Sequence, residues 1–109
     1  MSISSRREKI EQMLLDEPND LFLRYGLALE YHREGNAEQA LEHLRSLTGE
    51  NPPYVPAFFR SAQILVDMDR IEQAREFLRN GIETARSQND LHAAAEMSEL
   101  LSDLGQYGE

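Results

Sequence analysis

Cysteine is absent from this 109-residue chain. Its absence rules out a disulfide framework, a thiol nucleophile and a thiolate metal site. Basic residues are few: 11 Lys and Arg face 20 Asp and Glu, for a net charge of −9. Nucleic acid and anionic lipid repel so acidic a surface, and neither is expected as a partner. No run approaches the roughly 18 apolar residues that span a bilayer. The opening residues, Met1 to Arg7, carry charge without an apolar stretch behind it, unlike a secretory signal. A cytoplasmic location is the resulting expectation. A glycine-rich phosphate loop and a nucleophile elbow are also missing. His32, His43 and His92 fall in three separate segments with no repeating ligand spacing, so no metal site is expected. Glu38 and Glu42 are spaced as a helical surface pair rather than an acid and its base. Catalytic residues and cofactors are therefore not expected, and the chain is not read as an enzyme.

What the chain does contain is a repeat. Ala37-Glu38-Gln39-Ala40-Leu41-Glu42-His43-Leu44 returns thirty-four residues later as Ile71-Glu72-Gln73-Ala74-Arg75-Glu76-Phe77-Leu78, with five of eight positions identical. Pro18 and Pro52 keep the same interval, as do Ala28 and Ala62. A fixed period in this range marks a solenoid of stacked helical units. The first unit carries Arg24, Leu27, Ala28 and Tyr31, then Ala40, Leu44 and Pro52. The second carries Phe58, Ser61, Ala62 and Leu65, then Ala74, Leu78 and Arg86.

On these residues the chain resembles the tetratricopeptide repeat (TPR) family. It departs from the family pattern at Arg24, Ser61 and Arg86, where Trp or Leu, Leu, and Pro are usual. The small residues that let paired helices approach closely are intact. The expected fold is all-α: a TPR superhelix of about six helices in one domain over 1–109. An N-terminal half-repeat spans 5–18, full repeats span 21–54 and 55–88, and a capping helix spans 89–104. A tail over 105–109 is expected to be mobile.

Local signals support each helix. Ser5 with Glu8 forms a capping box ahead of the stripe Ile10, Met13 and Leu14. On that helix Arg7, Glu8 and Glu11 are read as the charged outer face of a solenoid end. Asn19 or Asp20 caps the next helix, whose core stripe is Leu23, Leu27, Ala28 and Tyr31. Gly35 ends it, and Asn36 caps the helix carrying Ala37, Ala40, Leu41, Leu44 and Leu47. Gly49 stops that helix, and Pro56 opens the next. Asp69, with Glu72, is expected to cap the helix carrying Ile71, Ala74, Leu78, Ile82 and Ala85. Arg75 and Arg79, at helical spacing from Glu72 and Glu76, are expected on a solvated face. Gly81, in the place of Leu47, is expected at a close packing point. In the last helix, His92, Glu96, Glu99 and Asp103 share a narrow polar face. Its apolar residues spread more widely than one buried stripe requires.

The resemblance also implies a function. The first helices of TPR repeats line a concave groove that accepts peptides. Carried onto this chain, the groove positions are Phe22, Tyr25, Leu29, His32 and Arg33, then Pro56, Phe59, Gln63, Val66 and Asp67. Arg60 is placed to meet an acidic group of a partner. This lining is mostly apolar and aromatic. Tyr25 and Leu29 occupy the places where chaperone-tail binders carry Lys and Asn, and the last-helix basic places fall near Asp90 and Ala94. A terminal-carboxylate clamp is therefore not expected. The favoured reading is a non-catalytic adaptor that binds a peptide or helix of a partner protein. The alternative is a self-associating assembly protein. Its homodimer would use the apolar face of the last helix, at Met97, Leu100, Leu101 and Leu104.

Overall fold

A computed structural model describes residues 5–105 of the chain. The residues 106–109 of the expected tail lie outside them. The described residues form six helices and no strand: α1 (Arg6–Asp16), α2 (Leu21–Arg33), α3 (Ala37–Thr48), α4 (Val55–Asp67), α5 (Ile71–Ser87) and α6 (Leu91–Leu104). Each helix packs on the next, and α4 also touches α6. This nearest-neighbour stacking is the signature of a solenoid. The molecule is accordingly elongated, 53 × 29 × 19 Å.

Caps set most of the boundaries. The Ser5 hydroxyl accepts from the Glu8 N–H at 3.1 Å, while the Ser5 N–H donates to the Glu8 carboxylate at 2.8 Å. Asp20, Asn36 and Asp90 each accept, through a side-chain oxygen, the N–H three residues on. These contacts satisfy donors that the first helical turn leaves open. Gly35 turns the chain from α2 into α3 with φ +87°, a region that side chains with a Cβ rarely enter. Thirty-four residues on, Asp69 makes the equivalent turn with φ 60°. Asp69 is therefore the turn residue rather than the expected cap. Arg70 is the N-cap of α5 and makes no side-chain capping bond.

The core follows the repeat. Ala28, Ala40, Ala62 and Ala74 are wholly buried, so paired helix axes approach closely, and Leu44 and Leu78 fill the same place in successive units. Gly81 is the tightest contact: a Cβ added there would stand 2.5 Å from Met97 Sδ and 2.6 Å from Phe58 Cβ. The missing side chain thus lets α5 approach both α4 and α6.

Two expectations about charged residues are corrected. Arg75 is buried, not solvated. Its guanidinium donates to the Leu104 carbonyl at the end of α6 and pairs with Glu72. Arg7 is not simply an outward charge. It bonds Glu34 at 3.0 Å and Glu11 at 3.1 Å, and lies 5.3 Å from the centre of the Tyr31 ring. Arg7 thereby ties α1 to α2. Helix α1 buries none of its residues completely, and Met13 remains half exposed, because no helix covers its other side among the described residues.

Candidate partner-binding groove

The chain alternates between two sets of helices, and the first member of each pair faces a common trough. Along α4, Pro56, Phe59, Arg60, Gln63, Val66 and Asp67 recur at spacings of three and four, which places them on one face. Opposite this face lies α6, and α2 closes the near side. A cavity of about 560 Å³ opens between them. From α2 it takes His32, and from α4 Phe59, Arg60, Gln63, Ile64, Val66 and Asp67. Helix α6 supplies Glu96, Glu99, Leu100 and Asp103. A second cavity of about 320 Å³ continues it toward Tyr25, Pro56 and His92. Phe59, Arg60, Gln63 and Glu96 line both, so the two form one trough along α4.

Of the residues expected in the groove, His32, Phe59, Arg60, Gln63 and Val66 meet in the main cavity, and Tyr25 and Pro56 line its continuation. The Tyr25 ring packs against Tyr54 with centroids 5.5 Å apart. Burial, followed by Tyr25 and Asp20, pushes the Tyr54 hydroxyl above its ordinary pKa. Phe22, Leu29 and Arg33 do not line either cavity. Phe22 is 73% exposed at the start of α2, and Arg33 turns toward Glu30 at 3.6 Å.

The residues expected on a self-association face are divided between the core and the trough. Met97 and Leu104 are buried beneath α6, leaving them unavailable to a second copy. Leu100 lines the trough, and Leu101 is half-buried against the core. The apolar arc is wide because α6 packs on α5 and also touches α4.

Sequence reasoning placed Glu96, Glu99 and Asp103 together but did not place them in the groove. Their positions are legible once the period is corrected. Helix α5 has 17 residues where α3 has 12, and the loop after it is shorter. The repeat interval therefore stretches from thirty-four residues to thirty-six. Arg60, Gln63 and Asp67 then correspond to Glu96, Glu99 and Asp103.

The electrostatics of the trough are unbalanced. Asp67, Glu99 and Asp103 have no ion-pair partner among the described residues, and Glu96 faces only the His92 ring, at 3.4 Å. Among the described residues Arg60 is the one permanent cation in the lining, and its Nε is shielded from solvent without a hydrogen-bond partner. On the other side of the molecule, a cavity of about 590 Å³ is bordered by Arg45, Gln73, Glu76, Asn80 and Glu83, mostly exposed polar side chains. Pro53, Phe58 and Phe77 supply its apolar part, but Phe58 is buried in the core and, among the described residues, no carboxylate wall from a third helix faces them. Among the described residues no group of three His, Asp or Glu is placed to hold a metal ion, and no helix is long and apolar enough to cross a membrane.

Paired helices stacked by small residues, with a trough along the first helix of each pair, define a helical-hairpin repeat protein. A profile of the tetratricopeptide repeat family matches residues 31–100, and the chain belongs to that family. It is 30% identical over 97 residues to a TPR repeat-containing protein of Pseudomonas aeruginosa, covering 89% of this chain and 92% of that one. Its fold is similar to a tetratricopeptide repeat domain protein from Salinibacter ruber, with TM-score 0.79 and 28% identity, over 84% of this chain and 94% of the other. A protein from Bordetella parapertussis is similar with TM-score 0.80 and 25% identity, over 95% and 90% of the two chains. Domains of this family are generally protein–protein interaction modules and typically non-catalytic scaffolds.

Proposed function

We propose that this chain holds a segment of a partner protein in the trough between α2, α4 and α6. The observation that carries this reading is the apolar strip of Phe59, Val66 and Leu100, flanked by unpaired polar groups. An apolar strip supplies affinity through burial, and fixed polar groups beside it set orientation. Phe59 contributes the largest side chain of the strip, of a type enriched at interfaces.

Random twelve-residue peptides displayed on phage and selected on the whole chain test the proposal. Binding of the selected peptides is expected to fall about tenfold or more with Phe59→Ala plus Val66→Ala, since truncating central apolar anchors typically costs that much. Helical content by circular dichroism is expected to stay unchanged. Selected peptides that bind the double variant as tightly as the native chain would refute a groove function.

A further inference from the structure

The charge around the trough identifies the chemistry of its occupant. We infer that the groove takes an extended segment in which Lys or Arg flanks an aliphatic residue. This inference rests on the groove reading above and goes beyond it by specifying the ligand.

Three observations point the same way. Glu96, Glu99 and Asp103 form a carboxylate wall along α6, and Asp67 stands on α4 at the border of the same cavity. Asp67, Glu99 and Asp103 have no ion-pair partner among the described residues, so their charge is not already neutralised within the fold. The apolar strip between the two sides fits an aliphatic side chain, while a flanking basic side chain reaches the wall along its own methylene stem. Charge complementarity of this kind raises association rates and rejects acidic competitors.

Arg60 completes the arrangement. Its Nε is shielded, but the terminal nitrogens of the same guanidinium remain open at the lining of both cavities. They can donate to a backbone carbonyl of an extended segment. Gln63 lies one turn further along the same face, and its amide both donates and accepts, as a peptide backbone requires. A carboxylate in that place would meet Arg60 but would also meet four like charges. The expected occupant is therefore neutral at Arg60 and positive toward α6.

The same displayed library separates this inference from the groove reading. Selected peptides are expected to be enriched in Lys and Arg next to Leu, Ile or Val. Their affinity is expected to drop about tenfold in the variant Glu96→Gln, Glu99→Gln and Asp103→Asn, and to weaken as salt screens the wall. A charge-matched control on the other helices, Glu42→Gln, Glu76→Gln and Glu83→Gln, is expected to change binding little. That control removes the general attraction of an acidic chain for any cation. Peptides that are neutral or acidic, and lose binding only with Phe59→Ala and Val66→Ala, would overturn the cationic inference and leave the groove standing. Equal losses in the wall variant and the control would likewise overturn it. Failure to select any peptide, or binding unaffected by Phe59→Ala and Val66→Ala, would overturn both.

Discussion

The Arg75 guanidinium donates to the carbonyl oxygen of Leu104, joining the second turn of α5 to the last residue of α6. A cation at a helix C-terminus satisfies an open carbonyl and complements the helix dipole. The bond anchors the helix that carries the carboxylate wall. Replacing Arg75 by Met keeps much of the buried stem but removes the charged donor. The expected cost is about 2 kcal/mol, as for loss of a hydrogen bond to a charged group. Urea unfolding measures it, and hydrogen exchange is expected to accelerate first in the last turn of α6.

Gly81 and Met97 show how closely α5 and α6 approach. Gly81→Ala would gain roughly 1 kcal/mol of helix propensity at an ordinary site. Here the new methyl meets Met97 Sδ at 2.5 Å and Phe58 Cβ at 2.6 Å. The Met thioether can swing aside, but the Phe58 Cβ is fixed to its backbone. Overpacking of about 1–3 kcal/mol is expected to dominate, giving a lower urea midpoint. A higher midpoint would show that the helices separate at little cost.

Ser61 makes the opposite case. It is wholly buried, and its Oγ has no hydrogen-bond partner among the described residues. Ser61→Ala removes an unsatisfied hydroxyl and leaves nearly the same shape. A gain of about 1 kcal/mol is expected, read as a raised midpoint without a change in groove binding.

Acid is expected to loosen α1 early. Hydrogen bonds from the Ser5 backbone and hydroxyl, with Arg7 nearby, hold the Glu8 carboxyl below its ordinary range. A lowered folded-state pKa stabilises the helix fully above the unfolded value and progressively less as pH falls through the folded one. Glu8→Gln is expected to remove this dependence. Side-chain carbonyl shifts of Glu8, followed by NMR from neutral to acidic pH, report the titration. An ordinary Glu titration would mean that the capping box is open in solution.

Much of this is legible in the amino acids; the exceptions arise where residue type competes with position in the array, or where the period itself changes. The alanines at 28, 40, 62 and 74 marked the close contacts because burial recurs with the repeat. Gly81 was legible as a packing point because it takes the place of buried Leu47. Arg75 was misread through its spacing from Glu72, although its repeat counterpart, Leu41, is buried. The period was the stronger signal there, since position in a stacked array determines burial more than charge does. The Asp69 side chain suits a cap, but the residue occupies the turn position of Gly35. The α6 wall was hidden by the long α5, which shifts the register by two residues. The width of the apolar arc alone points to a free face at Met97 and Leu104. The neighbouring helices bury both.

The most direct test of the groove is amide chemical-shift mapping of the whole chain with the tightest selected peptide. Perturbations are expected along Phe59, Gln63 and Val66 of α4 and along Glu99, Leu100 and Asp103 of α6. Shifts confined to the outer residues of α3 and α5, such as Arg45, Glu76 and Glu83, would contradict it and move the interface to the opposite side of the molecule.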